Sequence, residues 1–143
     1  MLWQIYLRKD KVYVPTVAQT EAGFYTDIEP VIVVPAIDSK AFQGAVREIM
    51  AKGNPIVPTP TRASFPKPVI LKYANVNSWS AFEKGALHWT VVEKLGNYQI
   101  KPSQRRQDRG WEEDPKRIEA LPEGATLDEV ARRVVALVQE NAT

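Results

Sequence analysis

The stretch Asn77–Lys101, NSWSAFEKGALHWTVVEKLGNYQIK, decides the fold class. It passes from helix to strand to turn to strand with almost no spacer. Ser80 stands three residues before Glu83, the spacing of a capping box. In that motif the serine oxygen accepts from the Glu83 amide and the carboxylate reaches back to the Ser80 amide. Phe82 and Ala86 share one face of this helix, with Leu87 beside them. Gly85 costs a helix about 1 kcal/mol relative to alanine, so only about two turns are expected. Leu87–Val92 is aromatic and β-branched, which favours a strand. Leu95-Gly96-Asn97 supplies a turn, because Gly and Asn tolerate positive φ. Tyr98 and Ile100 then alternate with Gln99 and Lys101, the period of a half-buried strand. The prediction is a hairpin of Leu87–Lys94 with Asn97–Lys101.

Outward from the hairpin, the N-terminal side adds strands. Leu2–Arg8 alternates Trp3, Ile5 and Leu7 with Gln4, Tyr6 and Arg8. Lys9-Asp10-Lys11 can turn, and Val12–Val14 can return. Pro15 has no N–H to give a ladder, so the return strand is expected to end there or to lie at an edge. Ala18–Gly23 reads as a polar link. Phe24–Val34 is a long strand divided by Pro30, which requires a bulge or an edge position. Asp38 is a good N-cap, with Ile37 and Phe42 at the spacing of a hydrophobic staple. Ala41, Phe42, Ala45, Val46 and Ile49 make one apolar stripe, and Gly53 suits the C′ position after the helix.

The segment 54–68 holds five of the eleven prolines and reads as an ordered or semi-rigid surface loop. Val69–Tyr73 is a further strand candidate. Beyond the hairpin, 102–122 is polar with no sustained period and reads as a long loop. Thr126 and Glu129 form a second capping box, followed by the stripe Leu127, Val130, Ala131, Val134, Leu137 and Val138. A helix over about 127–140 should pack on the sheet. These elements predict a single α+β domain over 1–143, with a mostly antiparallel sheet and two main helices.

Composition bounds the function classes. The 143 residues carry 19 basic and 17 acidic side chains, a net charge of +2. That balance argues against bulk attraction to nucleic acid or an anionic membrane, so any electrostatic role needs a local patch. No apolar run approaches the roughly 20 residues that span a bilayer. The N-terminal residues lack the basic, apolar and small-residue regions of a signal peptide. The chain has no cysteine, which excludes disulfides, a cysteine nucleophile and thiolate metal sites. A cytoplasmic protein without metal or other cofactor is the expectation.

Few motifs carry chemistry. His88, the one histidine, titrates near working pH when unperturbed, but no partner spacing marks it as a base, and a structural role is favoured. Asp108, Glu112, Glu113 and Asp114 surround Trp111, yet the run lacks the EF-hand pattern and reads as a solvated mixed-charge loop. There is no P-loop, Rossmann fingerprint or nucleophile elbow. Trp3 and Trp89 fit apolar strand faces, Trp79 fits local packing, and Trp111 has the most polar neighbourhood.

The best functional surface is Tyr98–Trp111, YQIKPSQRRQDRGW. Arg105, Arg106, Arg109 and Trp111 suit protein recognition, where Arg and Trp are enriched at hot spots. Arg62, Phe65 and Lys67 on the proline-rich loop supply a second contact. The leading expectation is a non-catalytic protein-binding module with an unidentified protein partner, concretely a small inhibitor or toxin-neutralising protein. The alternative is a nucleic-acid-binding accessory protein. There Lys101, Arg105, Arg106 and Arg109 would contact phosphates, and Tyr98 and Trp111 would stack on bases. An enzyme with a dispersed site ranks third.

Overall fold

The computed structural model describes residues 1–63 and 66–142. Strand β1 (Leu2–Arg8) turns through Lys9-Asp10 into β2 (Lys11–Thr20), and β3 (Tyr25–Pro35) returns alongside it. Helix α1 (Ser39–Ala51) follows, then the two-residue β4 (Ile56–Val57). Two short helices, α2 (Ile70–Ala74) and α3 (Trp79–Lys84), lead into the hairpin of β5 (Ala86–Lys94) and β6 (Asn97–Arg105). The chain closes with β7 (Trp111–Glu113), β8 (Glu119–Ala120) and helix α4 (Leu127–Gln139).

The strands form one sheet in the order β3-β2-β1-β5-β6-β7, with β4 added to β2 and β8 to β6. Pairing is antiparallel except for β2 with β4. The α+β class and the mostly antiparallel sheet of a single domain are as expected. β1 is central because it bonds β2 on one side and, along its whole length, β5 on the other, from Leu2–Val92 to Arg8–Ala86.

Both faces of the sheet are covered. On one, Trp3, Ile5 and Leu7 of β1 meet Trp89 and Val91 of β5, Phe42, Val46 and Ile49 of α1, and Val130, Val134 and Val138 of α4. This is the larger, apolar core. On the other face Tyr6 and Tyr13 pack with Ile70 and Leu71 of α2 and Phe82 of α3. Tyr6, on the polar side of the sequence alternation, is therefore 2% exposed.

Helix ends obey local chemistry. Asp38 caps α1 by accepting from the Ala41 amide at 3.1 Å, and Thr126 caps α4 by accepting from Glu129 at 3.2 Å. Gly53 follows α1 with φ of +66°, a conformation that costs glycine little. The Ile37 staple does not form: Ile37 is 86% exposed while Phe42 is buried. The hairpin turn is Leu95-Gly96, both at positive φ, with Asn97 the first residue of β6.

Several expectations are corrected. Ser78, not Ser80, caps α3, its hydroxyl accepting from the Ala81 amide at 3.1 Å. The Ala81 N–H is donated whatever its side chain, and the earlier start carries Trp79 into the aromatic layer. Val69–Tyr73 is mostly helix, not strand: α2 is one short turn ended by Asn75 in the left-handed region. A short apolar run fits either periodicity, and here burial of Ile70 and Leu71 decides. β2 does not stop at Pro15 but runs on to Thr20. The register steps from Pro15–Val31 to Thr16–Ile28, leaving Glu29 and Pro30 as the bulged residues of the edge strand. The polar segment 102–122 is not one loop, because β6 extends to Arg105 and β7 and β8 both pair with it. Part of the proline-rich loop is likewise tied down. The Asn54 side chain bonds both the N–H and the C=O of Leu2 and the C=O of Val17, at 2.8–2.9 Å.

Candidate functional site

The α2/α3 face of the sheet holds a hydrogen-bonded chain of five polar side chains. Central β1 points Gln4 and Tyr6 to this face. β5 brings His88 opposite Tyr6, β6 brings Ser103 beyond it, and β3 supplies Asp27. Ser103 Oγ lies 2.7 Å from His88 Nδ1, and His88 Nε2 lies 2.8 Å from Gln4 Oε1. Gln4 Nε2 donates to Asp27 Oδ1 at 2.7 Å, and the Tyr6 hydroxyl donates to Asp27 Oδ2 at 2.7 Å.

The chain fixes its own protonation. Because the Gln4 amide nitrogen faces the carboxylate, its oxygen faces His88, so Nε2 of the imidazole carries the proton. Nδ1 then accepts from the Ser103 hydroxyl. Burial pushes the imidazole down to about 4, which keeps it neutral at physiological pH. Burial also lifts the Asp27 carboxyl to about 6, with the Tyr6 and Gln4 hydrogen bonds opposing that rise. The Asp27 residue as a whole is half-buried, but its carboxyl group is the enclosed part. Tyr6 is held well above its ordinary value by burial first and by the Asp27 charge second.

Aromatic rings seal the chain. Trp111 stacks on His88 with centroids 5.0 Å apart, and Tyr6 lies 5.0 Å from the same ring. Trp79 meets Tyr6 and Trp111 edge-on, at 5.9 and 5.8 Å. A serine bonded to a histidine suggests a nucleophile and base, but the chemistry points elsewhere. A neutral amide separates His88 from Asp27, so the carboxylate cannot steady an imidazolium directly. A base held near 4 takes up little of a proton at pH 7. The arrangement is a cross-brace between β3, β1, β5 and β6, in keeping with the structural reading of His88.

Asp27 also borders open space. It lies at the junction of two adjoining cavities of about 700 and 290 Å3, which share Pro66, Lys67 and Pro68. Gln4 and Trp79 line the smaller one, and Leu71 and Val76 the larger.

The residues singled out in the sequence are distributed as follows. Arg105 is a strut: its guanidinium donates to the carbonyls of Lys84 and Ala86, at 2.6 and 3.1 Å, and to that of Glu83. Trp111 is half-buried in the aromatic layer, not a free anchor, and its indole nitrogen has no hydrogen-bond partner among the described residues. Arg106 is exposed and pairs with Asp108 at 3.3 Å. Arg106 and Arg109 line a polar notch of about 260 Å3 with Lys84, Glu83 and Ser80. Glu83 closes its floor by accepting from the Gly110 amide.

Tyr98 lies seven residues from Arg105 along β6, about 23 Å at the usual strand rise. It packs against the large apolar core, whereas Trp111 packs on the opposite face. Lys101 pairs with Glu113 at 3.2 Å. The six residues of the nucleic-acid reading thus do not share one surface. Three of the four acids around Trp111 pair with separate cations: Asp108 faces Arg106, Glu113 faces Lys101, and Asp114 pairs with Arg117 at 2.8 Å. Arg62 and Lys67 are exposed on the proline-rich loop. Phe65 lies outside the described residues.

Gln4, Tyr6, Asp27 and Ser103 were not singled out from sequence. One signal was present: Asp27 is a charge near the start of an otherwise largely β-branched strand, paired with buried Val17.

Among the described residues, no helix is long and apolar enough to cross a membrane. No family model matches the sequence, and no curated protein matches it. Solved structures do match in fold. A protein of unknown function, NMB0488, from Neisseria meningitidis aligns with a TM-score of 0.66 at 12% identity, over 99% of this chain and 94% of that one. A chain of the CdiA-CT/CdiI toxin and immunity complex from Yersinia pseudotuberculosis aligns with a TM-score of 0.61 at 11% identity, over 96% of this chain and 95% of that one. At these identities the chain shares their fold.

Proposed function

We propose that this protein is a non-catalytic, cytoplasmic protein-binding module that neutralises a toxin by binding it. The observation that carries the reading is the end-to-end fold likeness to a chain of a toxin and immunity complex. The site chemistry agrees with it. The one histidine is neutral and stacked under Trp111, and it braces the sheet.

The contact surface in this reading is the exposed tip around Arg106 and Arg109, with Arg62 and Lys67 as a second patch. Arg105 and Trp111 hold that tip in place from behind. Exposed arginines on a braced turn suit an acidic partner surface, because little side-chain support must be reorganised on binding.

The test is affinity capture at moderate salt, with and without nuclease, followed by co-expression of the captured protein. A nuclease-resistant, stoichiometric partner that arrests growth alone, but not with this chain, is the expected result. Arg106→Glu/Arg109→Glu should weaken that binding at least tenfold. Capture that disappears with nuclease, or a partner whose toxicity this chain leaves unchanged, would overturn the reading.

A further inference from the structure

We propose that the cavity above Asp27 is a binding site for a guanidinium group carried on an apolar stem. The inference stands apart from the toxin-binding reading.

It starts from the acceptor count of one carboxylate. Asp27 is an acceptor with about four lone-pair positions when ionised. Tyr6 takes one on Oδ2 and Gln4 takes one on Oδ1. Both donors are neutral. Among the described residues no lysine or arginine forms an ion pair with Asp27, and no further donor reaches it. Each oxygen therefore keeps acceptor capacity, and Asp27 is a lining residue of both cavities. A guanidinium fork matches two such oxygens with two parallel N–H donors, and it supplies the countercharge the site lacks.

The walls suit the rest of such a ligand. Trp79, Pro60, Pro66 and Pro68 line the smaller cavity, giving an aromatic and prolyl surface for an alkyl stem. A cation near an indole also gains from the ring quadrupole. The larger cavity continues along Val69, Leu71 and Val76 and lies within the size range of small-ligand sites. Two of its rim charges cancel, since Lys72 pairs with Glu29, which also accepts from the Tyr73 hydroxyl at 2.6 Å. Lys67 lines both cavities but is exposed and does not pair with the carboxylate.

The experiment titrates the full chain with n-butylguanidinium and with its uncharged isostere n-butylurea at pH 7.5, following tryptophan fluorescence and heat. A third arm uses the blocked peptide acetyl-Gly-Arg-Gly-amide. Saturable binding of butylguanidinium is expected, at least tenfold tighter than butylurea and at least tenfold weaker in Asp27→Asn. Binding of the peptide would assign the site to an arginine side chain of a partner. Binding of butylguanidinium without the peptide would assign it to a free small molecule.

A pH series on the unaltered protein provides a test independent of that variant's folding. With the carboxyl near 6, affinity should fall about tenfold between pH 7.5 and 5. Tyr6, Tyr25, His88, Glu29, Lys67 and Lys72 are the other ionisable groups facing this region. Of these, Tyr6 and Lys72 are shifted upward and His88 and Glu29 downward, away from that window. Equal binding of both isosteres, an Asp27→Asn variant that binds as well, a flat pH profile, or no saturable binding would each overturn the inference.

Discussion

The two faces of one sheet are built on different physics. The face under α1 and α4 is a close-packed apolar core, with Phe42, Val46, Ile49, Val130, Val134 and Val138 all fully buried. The face under α2 and α3 is a layer of aromatic rings closed over a polar chain, with cavities at one end. The first face has two 13-residue helices over it, and the second has helices of five and six residues. Long amphipathic helices can fill a sheet face with side chains alone. Short ones leave gaps, and here the gaps meet hydrogen-bonding groups. The difference separates the half of the molecule that supplies stability from the half with room for chemistry.

The contrast is sharpened by changes on each face. The largest expected effect is on the apolar side. Phe42→Ala removes a fully buried ring from between α1 and the sheet and should cost about 3–5 kcal/mol. Chemical denaturation measures it, and the loss should be independent of pH. A loss below about 1 kcal/mol would mean that this face is not the main source of stability.

The polar face should instead answer to pH, with two opposed contributions. Asp27 is raised from 3.8 to about 6, so between those values the folded state holds more protons than the unfolded, and stability falls as pH rises. His88 is lowered from 6.5 to about 4, so over nearly the same window the folded state holds fewer, and stability rises with pH. In the unaltered protein these slopes should largely cancel between pH 4 and 6. Asp27→Asn should leave the rising slope, up to about 1.4 kcal/mol per pH unit, and His88→Gln the falling one. Denaturation curves at four pH values decide it. Parallel pH profiles for the two variants would break the assignment.

A smaller effect is expected at the strut. Arg105→Ala frees the carbonyls of Glu83, Lys84 and Ala86 and should cost about 1–3 kcal/mol, because it removes charge-assisted hydrogen bonds. Arg105→Lys should recover only part of this, since an ammonium lacks the planar fork. Full recovery by lysine would show that charge alone is at work.

The smallest effect returns to the apolar side. Arg47 of α1 pairs with Asp128 of α4 at 2.7 Å, with both side chains about half exposed. Arg47→Ala should change stability by no more than about 0.5 kcal/mol. A thermal melt in low and high salt checks it, and a larger, salt-insensitive loss would mean that the arginine stem packs between the helices.

Legibility in the sequence divides along the same line as the faces. α1 and α4 were readable because each is encoded within one run: a capping side chain, a stripe at helical spacing, and for α1 a glycine after the end. The β5–β6 hairpin was readable because its pairing is local, from Lys94–Asn97 outward. α2 was misread as a strand because five residues carry too little periodicity to choose. Trp111 has polar neighbours in sequence but an aromatic layer around it in space, and Arg105, though exposed, is tied to the end of α3 by contacts that no local pattern records.

By itself, the sequence determined the α+β class, the two long helices, the hairpin and the apolar side of β1, since these depend on contacts between residues close along the chain. Tertiary structure alone decided the polar chain from Ser103 through His88 and Gln4 to Asp27 and Tyr6. Its links join residues 15, 84, 23 and 21 positions apart. They meet only because β1 lies between β2 and β5 and the short helices bury the face it turns away from the main core. Burial and hydrogen bonding set the protonation of these groups, and no local pattern records which strands will be neighbours.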